Sequence, residues 1–243
     1  MTMIVDIDVG NTRAKWRLSE NNVTIQNGSI ATSSEDWSAL IALSSHKPVR
    51  MRASNVAGSM VAKRLQTIAN KYLGVEVEFA VACASSGEVK SGYQRPEQLG
   101  VDRWLAIVAA WSLFRRGCVV IDAGSALTVD FIDDRALHLG GYIVPGQQMM
   151  LASLFGGTSG VRINPVQTQC IAYGVNTDLA VQNGCFAMTL ALIQAAVAQD
   201  DSGGGTASMV LTGGDAESLL PHLPEGVVHR PDLVLDGLAL ALP

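Results

Sequence analysis

The stretch Val5-Asp6-Ile7-Asp8-Val9-Gly10-Asn11-Thr12 is echoed near the middle of the chain by Val119-Val120-Ile121-Asp122-Ala123-Gly124-Ser125-Ala126. Each copy is an apolar strand that runs into Asp-x-Gly. A repeated unit of this kind restricts the chain to architectures built from two related halves. The pair implies two half-domains meeting at a cleft, each offering a carboxylate and a glycine turn to one ligand. A nucleoside triphosphate is the first candidate.

The chemistry of the first turn supports phosphate handling. Gly10 and Asn11 accept positive φ readily, so the chain is expected to reverse there and leave backbone N–H groups pointing outward at an anion. In Arg13-Ala14-Lys15-Trp16-Arg17-Leu18, basic and apolar residues alternate as on a half-buried strand. Asp8, the turn and Lys15 then share one hairpin. Thr12 and Lys15 suit phosphate oxygens, whereas Asp8 is anionic and suits Mg²⁺ or its waters. For one copy alone an ordinary hairpin turn explains as much; the second copy tips the balance.

A length of 243 residues, 48% of them hydrophobic and 24 of them glycine, gives room for a large core with tight turns. With a net charge of −5 and scattered Lys and Arg, no basic field for nucleic acid exists. Cys83, Cys118, Cys170 and Cys185 form no C-x-x-C pair and are expected to be reduced core residues; neither they nor the histidines have zinc-site spacing. Met1 to Ile4 lead directly into a strand, so a cytoplasmic location is expected. Leu179 to Gln199 lacks charge but contains Gln182, Asn183 and Gln194, which fits a core helix better than a membrane span.

Strands are expected at residues 3–9, 14–19, 23–30, 49–53 and 75–81, with helices at 34–43, capped by Ser33-Ser34-Glu35-Asp36, and 58–72. A loop over 85–100 precedes a helix at 101–114, which Arg115-Arg116-Gly117 should close with glycine. The second half restarts with strands at 118–122, 127–132 and 137–144 and a helix from Gln147. After an irregular stretch come a long helix at 178–198, a loop at 200–205, a strand at 208–212 and a last helix near Asp236. Half-domains 1–116 and 117–243 follow.

Asp8-x-Gly10-Asn11-Thr12, the second Asp-x-Gly and Thr212-Gly213-Gly214-Asp215 resemble the acetate kinase, sugar kinase, Hsp70 and actin superfamily. Within it, Tyr93-Gln94-Arg95-Pro96-Glu97-Gln98-Leu99-Gly100-Val101-Asp102-Arg103 is similar to the Tyr-x-x-Pro-x-x-Leu-Gly-x-Asp-Arg signature of type III pantothenate kinases. Asp122 to Asp130, Gly140 to Gly146 and Gly174-Val175-Asn176-Thr177 extend the resemblance in the family's order. It implies an α/β fold of two ribonuclease H-like (actin-like ATPase) half-domains with a central nucleotide cleft.

The resemblance also implies roles. Asp102 would be the catalytic base taking the proton of the pantothenate primary hydroxyl. Tyr93, Gly100, Val101, Asp102, Arg103 and Thr177 would bind pantothenate. Asp8, Val9, Gly10, Asn11, Thr12, Arg13, Ala14, Lys15 and Ser125 would bind ATP with Mg²⁺, and Asp122 a monovalent cation, K⁺ or NH₄⁺. Asp122 could instead only close its turn, Tyr93 could pack as a loop aromatic, and Asn176-Thr177 could simply cap a helix. A homodimer is implied, with no nucleic-acid or membrane partner. A nucleotide-binding regulatory protein of the same fold, and a sugar kinase, are the competing readings. Val175, at a place often basic in the family, and the poorly matching 156–171 stretch are the departures.

Overall fold

The computed structural model describes residues 2–157, 170–199 and 208–243. The chain divides into two compact units, Met1–Leu113 with Asp232–Pro243, and Phe114–Pro231. The irregular stretch after residue 157 and the loop expected at 200–205 lie outside the described residues.

In the first unit, β1 (Met3–Val9), β2 (Arg13–Glu20), β3 (Val23–Ala31), β4 (Arg50–Asn55) and β5 (Val77–Phe79) form a sheet of order β3-β2-β1-β4-β5. The first three strands are an antiparallel meander, and β4 and β5 join in parallel after crossovers. The crossovers carry α1 (Ser38–Ile41) and α2 (Ser59–Ile68). Val5, Ile7 and Val9 of β1, Trp16 and Leu18 of β2, and Met51 and Ala53 of β4 pack with Trp37, Leu40 and Leu65 into one core. Because side chains alternate along a strand, Asp6, Asp8, Lys15, Arg17, Arg52 and Ser54 line the opposite face. A small hairpin of β6 (Ser85–Ser86) and β7 (Val89–Lys90) follows, then α3 (Val101–Phe114), buried from Arg103 to Trp111.

The second unit repeats the plan. Here β8 (Cys118–Ala123), β9 (Ala126–Ile132), β10 (His138–Pro145), β11 (Ser208–Thr212) and β12 (Val228–His229) form a sheet of order β10-β9-β8-β11-β12. It is accompanied by α4 (Gln147–Gly157), α5 (Thr177–Gln199) and α6 (Ala216–Leu219). By length and composition α5 could cross a membrane. Its Phe186, Leu190, Ile193 and Ala196 instead pack on Val119, Ile121, Val129 and Leu211, and Gln182, Asn183 and Thr189 are buried with them.

The chain ends in α7 (Leu233–Ala241), which belongs to the first unit and packs on β1 and β4. The expected boundary, with everything after 117 in the second half, therefore misplaces the last helix. Its anchors are in the first sheet. Arg17 donates from Nη1 to Asp236 Oδ1 at 2.6 Å and from Nη2 to the Leu235 carbonyl at 2.7 Å. Arg52 Nη1 donates to the Leu242 carbonyl at 2.8 Å. Both guanidinium groups also hold the fully buried Asp6, at 3.0 Å from Arg17 Nε and 2.7 Å from Arg52 Nε. Removing one partner of such a buried pair costs about 3–5 kcal/mol, because the other charge is left uncompensated.

Several local expectations are corrected. Helix 34–43 shrinks to α1 followed by a 3₁₀ turn, because Ser34 Oγ and Asp36 Oδ1 accept from the Asp36 and Ser38 amides and spend the capping residues on turns. The helix at 58–72 is α2 continued by a π turn over Ala69–Leu73. Left-handed backbone closes α3 at Arg115, not at glycine, with φ of 53°. Gly117 is instead pressed against the Ile132 carbonyl, and its N–H donates to Asp134. Cys118 and Cys185 are buried as expected, but Cys83 and Cys170 are only partly so.

Candidate active site

The first Asp-x-Gly forms the expected hairpin, with Asp8 opposite Lys15 in the β1–β2 register. The turn does not work through positive φ, which neither Gly10 nor Asn11 adopts. Gly10 suits the turn because a side chain there would crowd the Arg13 carbonyl, to which its own N–H donates at 3.1 Å. Thr32 braces the turn from the end of β3: its hydroxyl donates to the Gly10 carbonyl at 2.8 Å and its N–H to the Thr12 carbonyl at 3.0 Å. Asn11, Thr12 and Arg13 stand exposed at the tip. Val9 and Ala14, expected among the ATP contacts, turn their side chains into the core, so only their backbone could serve a ligand.

Asp8 is the unusual carboxylate. The residue is partly exposed, yet its Oδ1 is sealed from solvent and makes no hydrogen bond. Burial pushes its pKa up to about 6; the Asp102 carboxylate adds to the rise, while the Ser54 hydroxyl and Lys15 oppose it. Ser54 is fully buried on β4, directly across from Asp8. Nothing in its local sequence marks it, because only the β1–β4 pairing brings it there.

Asp102 is the second residue of α3, where helix N–H groups and the positive end of the dipole favour a carboxylate. Its Oδ1 accepts the Arg103 N–H at 2.8 Å. Gly100 makes this possible, since a Cβ there would lie 2.7 Å from the same oxygen. Arg103 is only 6% exposed. Its Nη1 donates to Tyr93 Oη at 2.9 Å, and its guanidinium lies 5.7 Å from the Tyr93 ring centroid. Asp8, Lys15, Tyr93, Asp102 and Arg103, far apart in sequence, are thus gathered on one unit.

In the second unit two glycine loops converge on Ala123-Gly124-Ser125. The Gly146 N–H donates to the Ser125 carbonyl at 3.1 Å and the Asp215 N–H to the Ala123 carbonyl at 2.9 Å. A Cβ on Gly146 would collide with the Gly124 and Ser125 carbonyls, and one on Gly213, whose φ is +98°, with the Ala123 backbone. Between the loops lies a shallow recess lined by Ala123, Gly124, Leu127, Gly146, Gln147, Thr189, Asp215 and Leu219. Burial raises the Asp215 pKa. Ser125 is exposed, and Asp122 is partly buried at the end of β8. Thr177 is the exposed first residue of α5; the cap is Asn176, whose Oδ1 accepts the Leu179 N–H at 2.9 Å.

Among the described residues no group of three or more His, Cys, Asp or Glu is placed to hold a metal by itself. Mg²⁺ needs no such group when phosphates complete its shell, since one or two carboxylates suffice. Asp8, with a sealed oxygen and a second carboxylate acting on it, fits that requirement.

Residues 4–199 match the family model of type III pantothenate kinase. The chain belongs to that family. A type III pantothenate kinase of Alcanivorax borkumensis is 36% identical over 97% of both chains. Among solved structures, a conserved Campylobacter jejuni protein assigned to the Baf family of transcriptional activators superposes with a TM-score of 0.62 at 21% identity, covering 97% of this chain and 95% of that one. A Sinorhizobium meliloti protein assigned as a 2-dehydro-3-deoxygalactonokinase gives 0.60 at 12%, over 98% and 95%. At such identities the likeness speaks for fold alone. It places this family member in the actin-like ATPase and sugar kinase fold, with which its two sheets of like strand order agree.

Proposed function

We propose that this chain is an ATP-dependent pantothenate kinase that phosphorylates the primary hydroxyl of pantothenate, the first step of coenzyme A biosynthesis. The observation that carries the reading is the Asp102 carboxylate, set at the start of α3 with its Oδ1 on the Arg103 N–H and on the same unit as Asp8, in a chain of this family.

In the reaction, a lone pair of the pantothenate hydroxyl oxygen attacks the γ-phosphorus of ATP. The bond from that phosphorus to the β–γ bridging oxygen breaks and ADP leaves. The hydroxyl proton passes to Asp102. An ordinary carboxylate suffices as the base, because in a loose transition state the proton leaves late and orientation matters more than basicity. Arg103, held by Tyr93, would pair with the substrate, with Tyr93, Gly100, Val101 and Thr177 as further contacts. The turn from Asp8 to Lys15 would bind the phosphates through its N–H groups, Thr12 and Lys15. Ser125 and the recess beside Gly124, Gly146 and Asp215 would take the nucleotide.

Asp8 would hold Mg²⁺, which when bound neutralises phosphate charge. Asp122 would hold K⁺ or NH₄⁺ at the second turn. A homodimer and a cytoplasmic location complete the proposal.

The test is ADP production followed with and without pantothenate. Strict dependence on pantothenate supports the reading, and equal rates in both overturn it.

A further inference from the structure

Gly237 sits in the middle of α7, buried and without positive φ, where glycine costs about 0.5–1 kcal/mol relative to alanine. Its reason is contact. A Cβ at this position would overlap the carbonyl group and Cα of Leu105, so the backbones of α7 and α3 touch with no side chain between them. Leu105 lies less than one turn from Asp102, about 4.5 Å along the helix axis.

The other side of α7 is fixed to the sheet that carries the phosphate-binding turn. Asp236, next to Gly237, and the Leu235 carbonyl accept from Arg17, and the Leu242 carbonyl accepts from Arg52. Both arginines clasp Asp6. Asp6 is two residues from Asp8 on β1, and Arg17 two from Lys15 on β2. A continuous set of contacts therefore runs from the strands of the turn, through Arg17 and α7, to the backbone of α3.

Resting on the kinase reading, we infer that Gly237 and Arg17 are positioning residues: through α7 they set the distance between the Asp102 carboxylate and the phosphate-binding turn. Neither touches a reacting atom. Alanine at 237 pushes α3 away by the width of a methyl group, enough to spoil the approach of acceptor to phosphate.

The experiment compares Gly237→Ala, Asp236→Asn and each of them combined with Asp102→Asn. The Asp236 side chain is 48% exposed, which makes its substitution the milder of the two and keeps the test open where Gly237→Ala does not fold. Expected are a kcat lower by about 10- to 100-fold for Gly237→Ala and about 3- to 10-fold for Asp236→Asn, with KM for ATP within about 2-fold. In the Asp102→Asn background neither adds a further loss. Hydrogen exchange of the Trp104 to Ala106 amides accelerates in both single variants. Unchanged exchange, wild-type kcat in a folded variant, or losses that simply multiply with that of Asp102→Asn would overturn the inference. Absence of pantothenate-dependent turnover in the wild type would instead sink the kinase reading, and exchange alone would then decide the positioning role.

Discussion

Burial of Asp8 at the end of β1, with the Asp102 carboxylate of α3 adding a smaller push, holds the Asp8 pKa at about 6. In the unfolded chain Asp8 loses its proton near 3.8. The folded state thus binds the proton more tightly, and its advantage is complete below pH 3.8 and gone above about 6. Above that pH the fold carries the cost of a buried ionised carboxylate, which Asp8→Asn removes. It should stabilise the metal-free protein on the order of 2–3 kcal/mol at pH 7.5 and hardly at all at pH 4, measured by denaturant unfolding. Mg²⁺ added together with an ATP analogue, where it favours the ionised form, should raise Tm further than the analogue alone, more at pH 8 than at pH 5, and this extra rise should be missing in Asp8→Asn.

Gly100 tests whether the placement of Asp102 matters apart from its chemistry. Gly100→Ala puts a methyl group 2.7 Å from Asp102 Oδ1 and must turn the carboxylate away. A fall in kcat of about 10- to 100-fold, with stability changed by less than about 1 kcal/mol, is expected from steady-state kinetics and thermal melts.

Tyr93 and Arg103 offer a finer probe. Tyr93→Phe deletes the 2.9 Å hydrogen bond and keeps the ring beside the guanidinium. Loss of about 1–1.5 kcal/mol should appear as a KM for pantothenate raised roughly 5- to 10-fold, with KM for ATP unchanged.

The two glycines of the Thr212 to Asp215 loop separate close packing from open space. Gly213 has positive φ and lies on the Ala123 backbone, whereas nothing stands within 4 Å of a Cβ on Gly214. Gly213→Ala should weaken binding of an ATP analogue at least 10-fold by calorimetry, and Gly214→Ala less than about 2-fold.

The sequence is most informative where one residue pattern decides one local structure. The alternation in Arg13 to Leu18 marks β2, and the repeated strand before Asp-x-Gly marks β1 and β8, because period two and a turn leave little choice. The reason for Gly10 is not visible in this way: a glycine that avoids the Arg13 carbonyl looks the same as one that adopts positive φ. Helix 34–43 fails for a related reason, since Ser34 and Asp36 stabilise turns with the same groups that would cap a helix. Signature residues from Tyr93 to Arg103 point to the site through family resemblance, but Ser54, Arg52 and the return of α7 depend on pairings between distant segments. No local pattern records them.

Asp102→Asn is the most direct measurement, because it keeps the size of the side chain and removes its capacity to take a proton. Single-turnover phosphorylation of pantothenate should slow by about 10²- to 10⁴-fold, while the Kd of an ATP analogue stays within about 2-fold of wild type. A rate within a few-fold of wild type would contradict proton transfer to Asp102.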